Sequence, residues 1–291
     1  MNILLTGKNG QVGWELQRAL LPLGRVAAFG HGELDLADPG AVRRKLDEVR
    51  PEVVVNAAAY TAVDKAESEP EQANAVNAAA PALLAQEAAR RGALLAHYST
   101  DYVYDGAKAA PYVESDKTNP LGAYGRSKLA GEEGIRASGC DHLIFRTSWV
   151  YAARGANFLR TILRLAAERE ELRIVMDQIG APTWARLIAE ATALALRQAL
   201  AERRHGRFES GLFHLACAGE TSWHGFASAI VAGRSGLRVK TVTPITTADY
   251  PLPAPRPANS RLDTSAFRAR FGLALPDWRD CLPFCLEELL Q

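Results

Sequence analysis

The sequence is poor in the residues that build metal centres and disulfide frameworks. Its 291 residues include four cysteines, of which only Cys281 and Cys285 lie close together. None of the six histidines pairs with another histidine at zinc-site spacing, and none flanks this cysteine pair. We therefore expect reduced, packed thiols and no bound metal.

The chain also lacks a strong charge and a long apolar segment. Its formal net charge of +1 gives no electrostatic reason to expect nucleic acid or an anionic membrane as a partner. No apolar run reaches the roughly 18 residues that a membrane span requires. The N-terminus passes directly into Asn2-Ile-Leu-Leu-Thr6, without the three regions of a signal peptide. These features lead us to expect a cytoplasmic protein, and a hydrophobic content of 48% suffices for a full core.

The N-terminal segment combines a strand, a glycine loop and a helix. The apolar run Met1–Thr6 predicts a buried strand, Gly7-Lys-Asn-Gly10-Gln-Val-Gly13 follows at once, and a helix is predicted from Trp14 to Leu21. Glycines permit a tight turn and let the backbone approach a pyrophosphate at the N-terminus of a helix. This order predicts a dinucleotide site, although the spacing is G-x-x-G-x-x-G.

The second predicted strand, Arg25–Phe29, bears on the choice of cofactor. Folds that select NAD often carry an acid at the end of this strand, whereas Gly30-His31-Gly32 stands here. Lys8, inside the glycine loop, lies close to where a 2′-phosphate would bind. Together these features favour NADPH and leave NADH possible.

Strands and helices alternate through the first half of the chain. Asp38-Pro39 predicts the start of a helix that ends near Val49, and a long helix bent near Pro81 is predicted over Glu71–Arg91. The remaining predicted strands are Val53–Asn56, Leu94–Ser99 and His142–Thr147. This alternation predicts an α/β fold with a Rossmann-like, doubly wound parallel sheet, and we assign residues 1–150 to an NAD(P)-binding domain.

Beyond Tyr151 the alternation loosens. We predict a smaller α+β substrate domain over residues 151–291, with part of 155–217 returning to the first domain. The proline-rich segment Tyr250–Pro257 is predicted to be an extended loop.

Three side chains are expected to meet where the strands end. Thr100 follows the fourth strand, and Tyr124 and Lys128 lie four residues apart on the next helix, so they share one face. Reduction of a carbonyl needs a proton at the oxygen, which Tyr124 could donate while Thr100 orients the carbonyl. We expect Lys128 to lower the pKa of Tyr124 and to bind the nicotinamide ribose.

With these motifs in place, the sequence resembles the extended short-chain dehydrogenase/reductase family. Longer strings are similar to the dTDP-4-dehydrorhamnose reductase family within it, over nearly the whole chain. These strings are Asn56-Ala-Ala-Ala-Tyr-Thr-Ala-Val-Asp-Lys-Ala-Glu67, His97-Tyr-Ser-Thr-Asp-Tyr-Val-Tyr104, Phe145-Arg-Thr-Ser-Trp-Val-Tyr151, Asp177-Gln-Ile-Gly-Ala-Pro-Thr183 and Arg256-Pro-Ala-Asn-Ser-Arg261.

The resemblance implies reduction of the C4 ketone of a dTDP-6-deoxy-4-hexulose by NADPH or NADH, and it implies roles for individual residues. The positions implied to hold the cofactor, beside Lys8, Tyr124 and Lys128, are Gly7, Gly10, Gln11, Val12, Gly13, Asp35, Leu36, Ala58, Ala59 and Tyr60. The positions implied to meet the dTDP-sugar are Thr100, Asp101, Trp149, Asn157, Gln178 and Arg256. Trp149 offers an apolar face for a 6-methyl group, and Arg256 suits a diphosphate by its geometry.

The resemblance also leaves alternatives open. Some family members form dimers through Mg²⁺ held by glutamates, but Arg186 follows Ala185 where an acid would be needed beside Glu15. We therefore predict no Mg²⁺-bridged dimer and expect a monomer or weak homodimer. Another nucleotide-sugar 4-ketoreductase or epimerase, or a non-catalytic regulatory subunit of the same fold, is the alternative function.

Overall fold

A six-stranded parallel sheet forms the centre of the protein. The computed structural model describes residues 1–290. The strands of this sheet are β1 (Asn2–Thr6), β2 (Arg25–Phe29), β3 (Val53–Asn56), β4 (Leu94–Thr100), β5 (His142–Thr147) and, later in the chain, β10 (Gly211–His214). Their order is β10-β5-β4-β3-β1-β2, and every neighbouring pair is parallel. The predicted doubly wound α/β fold is therefore confirmed.

The remaining strands are short and lie outside this sheet. They are β6 (Val150–Tyr151), β7 (Glu171–Val175), β8 (Ile179–Gly180), β9 (Thr183–Trp184), β11 (Thr221–Ser222) and β12 (Thr241–Ile245). They form three two-stranded pairs, β6 with β9, β7 with β12 and β8 with β11. The string Asp177–Thr183, one of those similar to the reductase family, contains β8 and the start of β9.

The helices are α1 (Gln11–Ala19), α2 (Pro39–Val49), α3 (Val63–Ala66), α4 (Pro70–Asn74), α5 (Ala80–Arg91), α6 (Ala123–Ala137), α7 (Phe158–Glu168), α8 (Ala185–Arg204), α9 (Trp223–Ala232), α10 (Ser265–Phe271) and α11 (Trp278–Glu288). The predicted start of α2 is confirmed, because the Asp38 carboxylate accepts hydrogen bonds from the backbone N–H groups of Gly40 and Ala41.

Both faces of the central sheet are buried, which is why its strands are apolar at consecutive positions. On β1, Ile3 and Leu5 face one core, which α1, α8 and α10 complete. Leu4, between them, faces the opposite core with α2, α5 and α6. Side chains alternate across a strand, so a sheet covered on both faces needs an apolar residue at every position.

A third core lies in the C-terminal part of the chain. It joins α7, α9 and α11, and its buried side chains include Leu159, Phe226 and Trp278. In contrast, α8 packs on the central sheet and β10 extends that sheet beside β5.

The long helix predicted over Glu71–Arg91 is interrupted near Pro81, as expected, and the interruption lies just before the proline. It divides into α4, a π-helical segment over Ala75–Ala79, and α5. Pro81 has no N–H to donate to the carbonyl four residues earlier, that of Asn77. That carbonyl is instead closely approached by α6, since a Cβ on Gly131 would lie 2.1 Å from it. The helix therefore widens before the proline.

Within residues 1–290, no helix is both long enough and apolar enough to cross a membrane.

Candidate functional site

The carboxyl ends of β1, β3, β4 and β5 open onto a cavity of about 630 Å³, which we call the strand-edge cavity. This is the position at which open α/β sheets bind ligands. Eleven of the residues predicted to hold a dinucleotide line it. They are Gly7, Gly10, Gln11, Val12, Asp35, Leu36, Ala58, Ala59, Tyr60, Tyr124 and Lys128.

The glycine loop closes a very tight turn at one end of this cavity. Gly7 adopts a φ of 76°, and a Cβ there would lie 2.6 Å from the backbone of Ala57. A Cβ on Gly13 would lie 2.0 Å from the carbonyl oxygen of Gly7, so this third glycine permits the packing of α1 against the loop rather than lining the cavity. The loop leaves the N-terminus of α1 facing the cavity, where free N–H groups favour a pyrophosphate.

Lys8 pairs with a carboxylate, and the acid that seemed to be missing after β2 is present. The Glu33 carboxylate accepts a hydrogen bond from Gly30 N–H at 2.9 Å and pairs with the Lys8 ammonium at 2.6 Å. The hydrogen bond from Lys8 lowers the pKa of Glu33. The turn over residues 30–33 therefore places the Glu33 carboxylate at the end of β2, where the positive charge of Lys8 neutralises it.

The helix α6 carries Tyr124 and Lys128 to the centre of the cavity. Its first N–H, on Ala123, donates to the Glu67 carboxylate at 2.7 Å. The side chain of Lys128 is buried, and its ammonium donates to the Tyr98 carbonyl oxygen at 2.6 Å. Thus the predicted shared face of Tyr124 and Lys128 exists, and β4 fixes where the ammonium lies.

The expectation that Lys128 lowers the pKa of Tyr124 is wrong. Burial raises the pKa of Tyr124 to about 12, which outweighs the opposing effect of its interaction with Thr100. The Lys128 ammonium faces the Tyr98 carbonyl and His97 instead, and burial lowers its own pKa to about 8. Tyr124 is consequently a neutral phenol at physiological pH, which is the form of a proton donor.

Thr100 and Asp101 stand beside this phenol. The Thr100 hydroxyl donates to Asp101 Oδ1 at 3.1 Å and accepts from Tyr102 N–H at 3.2 Å. Burial raises the pKa of Asp101 to about 6, and its Oδ2 is buried without a hydrogen-bond partner. The Asp101 charge in turn raises the pKa of Tyr124.

Several buried polar atoms around the cavity have no partner within residues 1–290. They are Gln11 Oε1, Ser99 Oγ and Thr147 Oγ1, whose residues line the cavity, and Asp101 Oδ2, whose residue does not line it but lies near Tyr124. Buried polar atoms are nearly always hydrogen-bonded in folded proteins, so such a cluster is what a polar ligand would satisfy. Together with the glycine loop, these groups fit a dinucleotide and a hydroxylated substrate.

Trp149 does not line the strand-edge cavity, but it packs against Trp223, which lines a second cavity. It is one of two non-glycine residues in the described chain with a left-handed backbone, at φ 48°, and its indole stacks on Trp223 at 3.6 Å. A Cβ on Gly180 would lie 2.6 Å from the same indole, so both of its faces are covered. A 6-methyl group could therefore contact this side chain only along its edge or after the stack opens.

The second cavity, of about 740 Å³, lies against α7 and β7, and we call it the lobe cavity. Its walls include Gln178, Trp223, Tyr250 and Arg256. The Gln178 side-chain oxygen accepts from Trp223 Nε1 at 3.2 Å, which ties the predicted Gln178 loop to the tryptophan stack.

Two of the predicted substrate residues already have protein partners. Arg256 forms a two-pronged contact with Asp64, at 3.1 Å and 2.8 Å, while still lining the lobe cavity. Asn157 lines neither cavity, because its oxygen caps α7 through Arg160 N–H and its amide nitrogen donates to the carbonyls of Ala152 and Arg154. The amide of Asn157 acts as a helix cap in this arrangement.

Sequence reasoning did not single out Trp223, Glu33 or Glu67. Glu67 ends one of the strings similar to the reductase family, so that string carried a signal. Trp223 and Glu33 lie in no recognised pattern, and only the folded chain brings them to Trp149 and Lys8.

The region around Glu15 holds an arginine between two carboxylates. Arg186 Nε lies 3.4 Å from Glu15 Oε2, and Arg186 Nη1 pairs with Glu288. Within residues 1–290, no three or more His, Cys, Asp or Glu side chains are grouped so that they could hold a metal ion.

Comparison with known proteins identifies similar chains over the full length. Residues 1–291 match the family described as the RmlD substrate binding domain. A dTDP-4-dehydrorhamnose reductase from Burkholderia thailandensis is 55% identical over 297 residues, which cover 100% of both chains. A crystal structure of a dTDP-4-dehydrorhamnose reductase from Clostridium acetobutylicum is 37% identical, with a TM-score of 0.91 and 100% of both chains covered. That of the enzyme from Bacillus anthracis in complex with NADP is 33% identical, with a TM-score of 0.87 and 98% of both chains covered.

Proposed function

Because this chain belongs to the family of the RmlD substrate binding domain, we propose that it reduces dTDP-4-dehydrorhamnose to dTDP-L-rhamnose with NADPH. The ketone at C4 of dTDP-6-deoxy-L-lyxo-4-hexulose becomes an alcohol in this reaction. The crystal structure of the Bacillus anthracis relative is a complex with NADP, which supports NADPH, and NADH is the alternative cofactor.

The observation that carries the proposal is the position of Tyr124. A neutral phenol, raised to a pKa of about 12 by burial, lines the strand-edge cavity beside Thr100 and Lys128. A proton donor that stays protonated at neutral pH is what a ketone oxygen needs as it gains negative charge.

The side chains divide the work at the carbonyl. The reduced nicotinamide, when bound, supplies a hydride to C4. Tyr124 donates its phenolic proton to the C4 oxygen. The single hydrogen of the Thr100 hydroxyl turns from Asp101 to the same oxygen and orients it. Lys128, whose side chain lines the same cavity, binds the nicotinamide ribose.

We assign the dTDP-sugar to the lobe cavity and its border. Asp101 and Trp149 lie on the side of the deoxysugar, whereas Gln178 and Arg256 lie on the side of the nucleotide. Arg256 is held by Asp64 in a two-pronged contact that orients the guanidinium before a diphosphate arrives. Asn157 acts on the substrate indirectly, by capping α7, which forms part of the lobe cavity wall.

The division of the chain follows these two cavities. Residues 1–150 form the nucleotide-cofactor domain and 151–291 mainly the dTDP-sugar domain, with α8 and β10 returning to the central sheet. We propose a cytoplasmic enzyme, since all four cysteines are free thiols. We also propose a monomer or weak homodimer that needs no nucleic acid, membrane or metal.

The test is to follow the loss of reduced-nicotinamide absorbance with the 4-keto-dTDP-sugar, using NADPH and NADH in turn, and to identify the product. We expect one equivalent of cofactor to be consumed for each sugar, with dTDP-L-rhamnose as the product. A changed sugar without net consumption of cofactor would indicate an epimerase, and binding of both ligands without any change would indicate a regulatory subunit. Either outcome overturns the proposal.

A further inference from the structure

A row of buried polar side chains crosses the central sheet beneath the strand-edge cavity. Thr6 on β1, Asn56 on β3 and His97 on β4 are direct register partners, so their side chains lie at the same level of the sheet. Their exposed fractions are 2%, 1% and 0%. Apolar side chains would fill these positions at a lower cost in desolvation, so the row invites a functional explanation.

Hydrogen bonds connect the row and end on Lys128. Thr6 Oγ1 and Asn56 Oδ1 are 2.6 Å apart, and Asn56 Nδ2 and His97 Nδ1 are 3.0 Å apart. The other imidazole nitrogen, His97 Nε2, lies 3.4 Å from the Lys128 ammonium. His97 lines neither the strand-edge cavity nor the lobe cavity, so it has no direct access to a ligand.

An ammonium has three hydrogens, and β4 provides acceptors for two of them. The Tyr98 carbonyl oxygen takes one at 2.6 Å, and His97 Nε2 is placed to take the second. Lys128 also lines the strand-edge cavity, so its third hydrogen is left for that side. Two fixed acceptors also fix the direction of the third N–H bond. With a single acceptor, the ammonium could still rotate about that hydrogen bond.

We propose that His97 is a positioning residue for Lys128, and this proposal rests on the ketone reduction proposed above. His97 Nε2 accepts a hydrogen from the ammonium, which can only donate and therefore selects the tautomer with a free lone pair at Nε2. Asn56 and Thr6 accommodate this tautomer and hold the imidazole ring in place. The row thereby aims the remaining hydrogen of Lys128 at the cavity.

The proposal determines the tautomer of His97. Burial, and then the charge of Lys128, lower the pKa of His97 well below its usual range, so the ring is neutral and has one donor and one acceptor. With Nε2 as the acceptor, Nδ1 carries the proton and donates to the side-chain oxygen of Asn56. The Asn56 amide then turns its nitrogen to the Thr6 hydroxyl, which accepts equally well. The opposite orientation of the amide would place an Nε2–H donor against the ammonium.

A matched pair of substitutions separates positioning from packing. In His97→Gln, the terminal amide oxygen reaches the place of Nε2, whereas in His97→Asn the shorter amide reaches only the place of Nδ1. We expect His97→Gln to keep kcat within about threefold of the wild type, and His97→Asn to lose about 10- to 100-fold in kcat. The KM for the dTDP-sugar should be unchanged in both, because His97 touches neither cavity.

The pH dependence of kcat/KM is a second test, because it would not change if His97 had only a structural role. The ionisable groups around Lys128 are Glu132 on its own helix, whose partner is Arg146 of β5, the neutral His97 on β4, and Tyr124. A hydrogen bond to the charged ammonium raises its pKa, so removing the Nε2 acceptor lowers it. The fall of kcat/KM for NADPH above about pH 8 should therefore begin at lower pH in His97→Asn and remain in place in His97→Gln.

Imidazole ¹⁵N resonances of the wild-type protein test the proposal without any turnover. With histidine-selective labelling, we expect the His97 proton on Nδ1 at pH 7, and we expect it to move to Nε2 in Lys128→Met. A wild-type proton on Nε2, or equal kcat values and pH profiles for the two His97 variants, would overturn the positioning role. Failure of the wild-type enzyme to reduce the sugar would overturn the proposed function alone, since the tautomer is read in the absence of substrate.

Discussion

Asp101 and Tyr124 lie side by side at the edge of the sheet, and burial raises the pKa of both carboxyl and phenol. The protonation state of both groups at a given pH therefore depends more on desolvation than on neighbouring charges. This is why the sequence could propose Tyr124 as the proton donor but could not predict its pKa. The spacing of Tyr124 and Lys128 is local, whereas burial depends on every element packed around them.

The buried carboxyl of Asp101 should make stability depend on pH. Its pKa of about 6 in the folded protein exceeds the value of 3.8 for an unperturbed Asp, so the protonated form stabilises the fold at low pH and this contribution is lost as pH rises through 6. We expect the unfolding free energy of Asp101→Asn, relative to the wild type, to increase by about 2 kcal/mol between pH 4 and pH 8.

Urea denaturation at the two pH values measures this difference. Asp116→Asn is the control, because pairing with Lys108 lowers the pKa of Asp116 below this range and its effect should not change between pH 4 and pH 8. A constant difference for Asp101→Asn would show that its carboxyl is ionised throughout.

The pair of Lys8 and Glu33 should set the preference between the two cofactors. In Glu33→Gln, the Lys8 ammonium loses its carboxylate partner and is available for a 2′-phosphate. We therefore expect the ratio of kcat/KM for NADPH to that for NADH to rise about fivefold, which corresponds to a free-energy difference of about 1 kcal/mol. Lys8→Met should lower the same ratio. Lys117→Met, on the exposed surface, is the control for the loss of one positive charge. If the ratio is unchanged in both the Lys8 and the Glu33 variant, this pair does not affect the choice of cofactor.

Helix α6 holds two of the proposed site residues, Tyr124 and Lys128, and packs on β4. Its N-cap residue, Gly122, has no side chain to cap the helix, and Glu67 from a distant segment supplies the missing acceptor. The start of α2 was predictable, because Asp38 caps its own helix within three residues. The cap of α6 was not, because its partner lies 56 residues away in the sequence.

Removal of this distant cap should affect both stability and catalysis. We expect Glu67→Ala to lower the unfolding free energy by about 1 kcal/mol, because an N-terminal N–H of α6 loses its acceptor. It should also reduce kcat more than Glu71→Ala, a matched change on the exposed surface of α4. Denaturation curves and steady-state rates for the two variants check this, and equal behaviour would contradict the capping role.

The same difference between local and distant effects explains the helix around Pro81. The proline is visible in the sequence and predicts an interruption. The location of the interruption over Ala75–Ala79 depends on α6, which approaches the Asn77 carbonyl at Gly131. The local sequence therefore predicts that this helix is interrupted, whereas packing against α6 determines at which residues the interruption lies.

For the whole molecule, the doubly wound parallel sheet and the reductase family followed from the sequence and are confirmed. The alternation of apolar strands with capped helices leaves few possible topologies for residues 1–150. The return of α8 to the central sheet could be foreseen only in outline. The stack of Trp149 on Trp223 depends on how the C-terminal part folds back, and nothing in the sequence near Trp149 indicates it.

The assembly of the molecule should not respond to magnesium. Arg186 places a guanidinium between Glu15 and Glu288, where a cation would have to bind, and two positive charges would repel each other. We expect the same sedimentation coefficient with Mg²⁺ and with a chelator. A metal-dependent increase that the chelator reverses would contradict this arrangement.

The most direct test of the account is a single-turnover comparison of the wild type with Tyr124→Phe. The substitution keeps the ring and removes the only proton that we assign to the C4 oxygen. We predict that the variant binds NADPH and the dTDP-sugar with affinities close to those of the wild type, while the rate of cofactor oxidation falls by about 10²- to 10⁴-fold. Oxidation at the wild-type rate would contradict the assignment of Tyr124 as the acid, and with it the central claim.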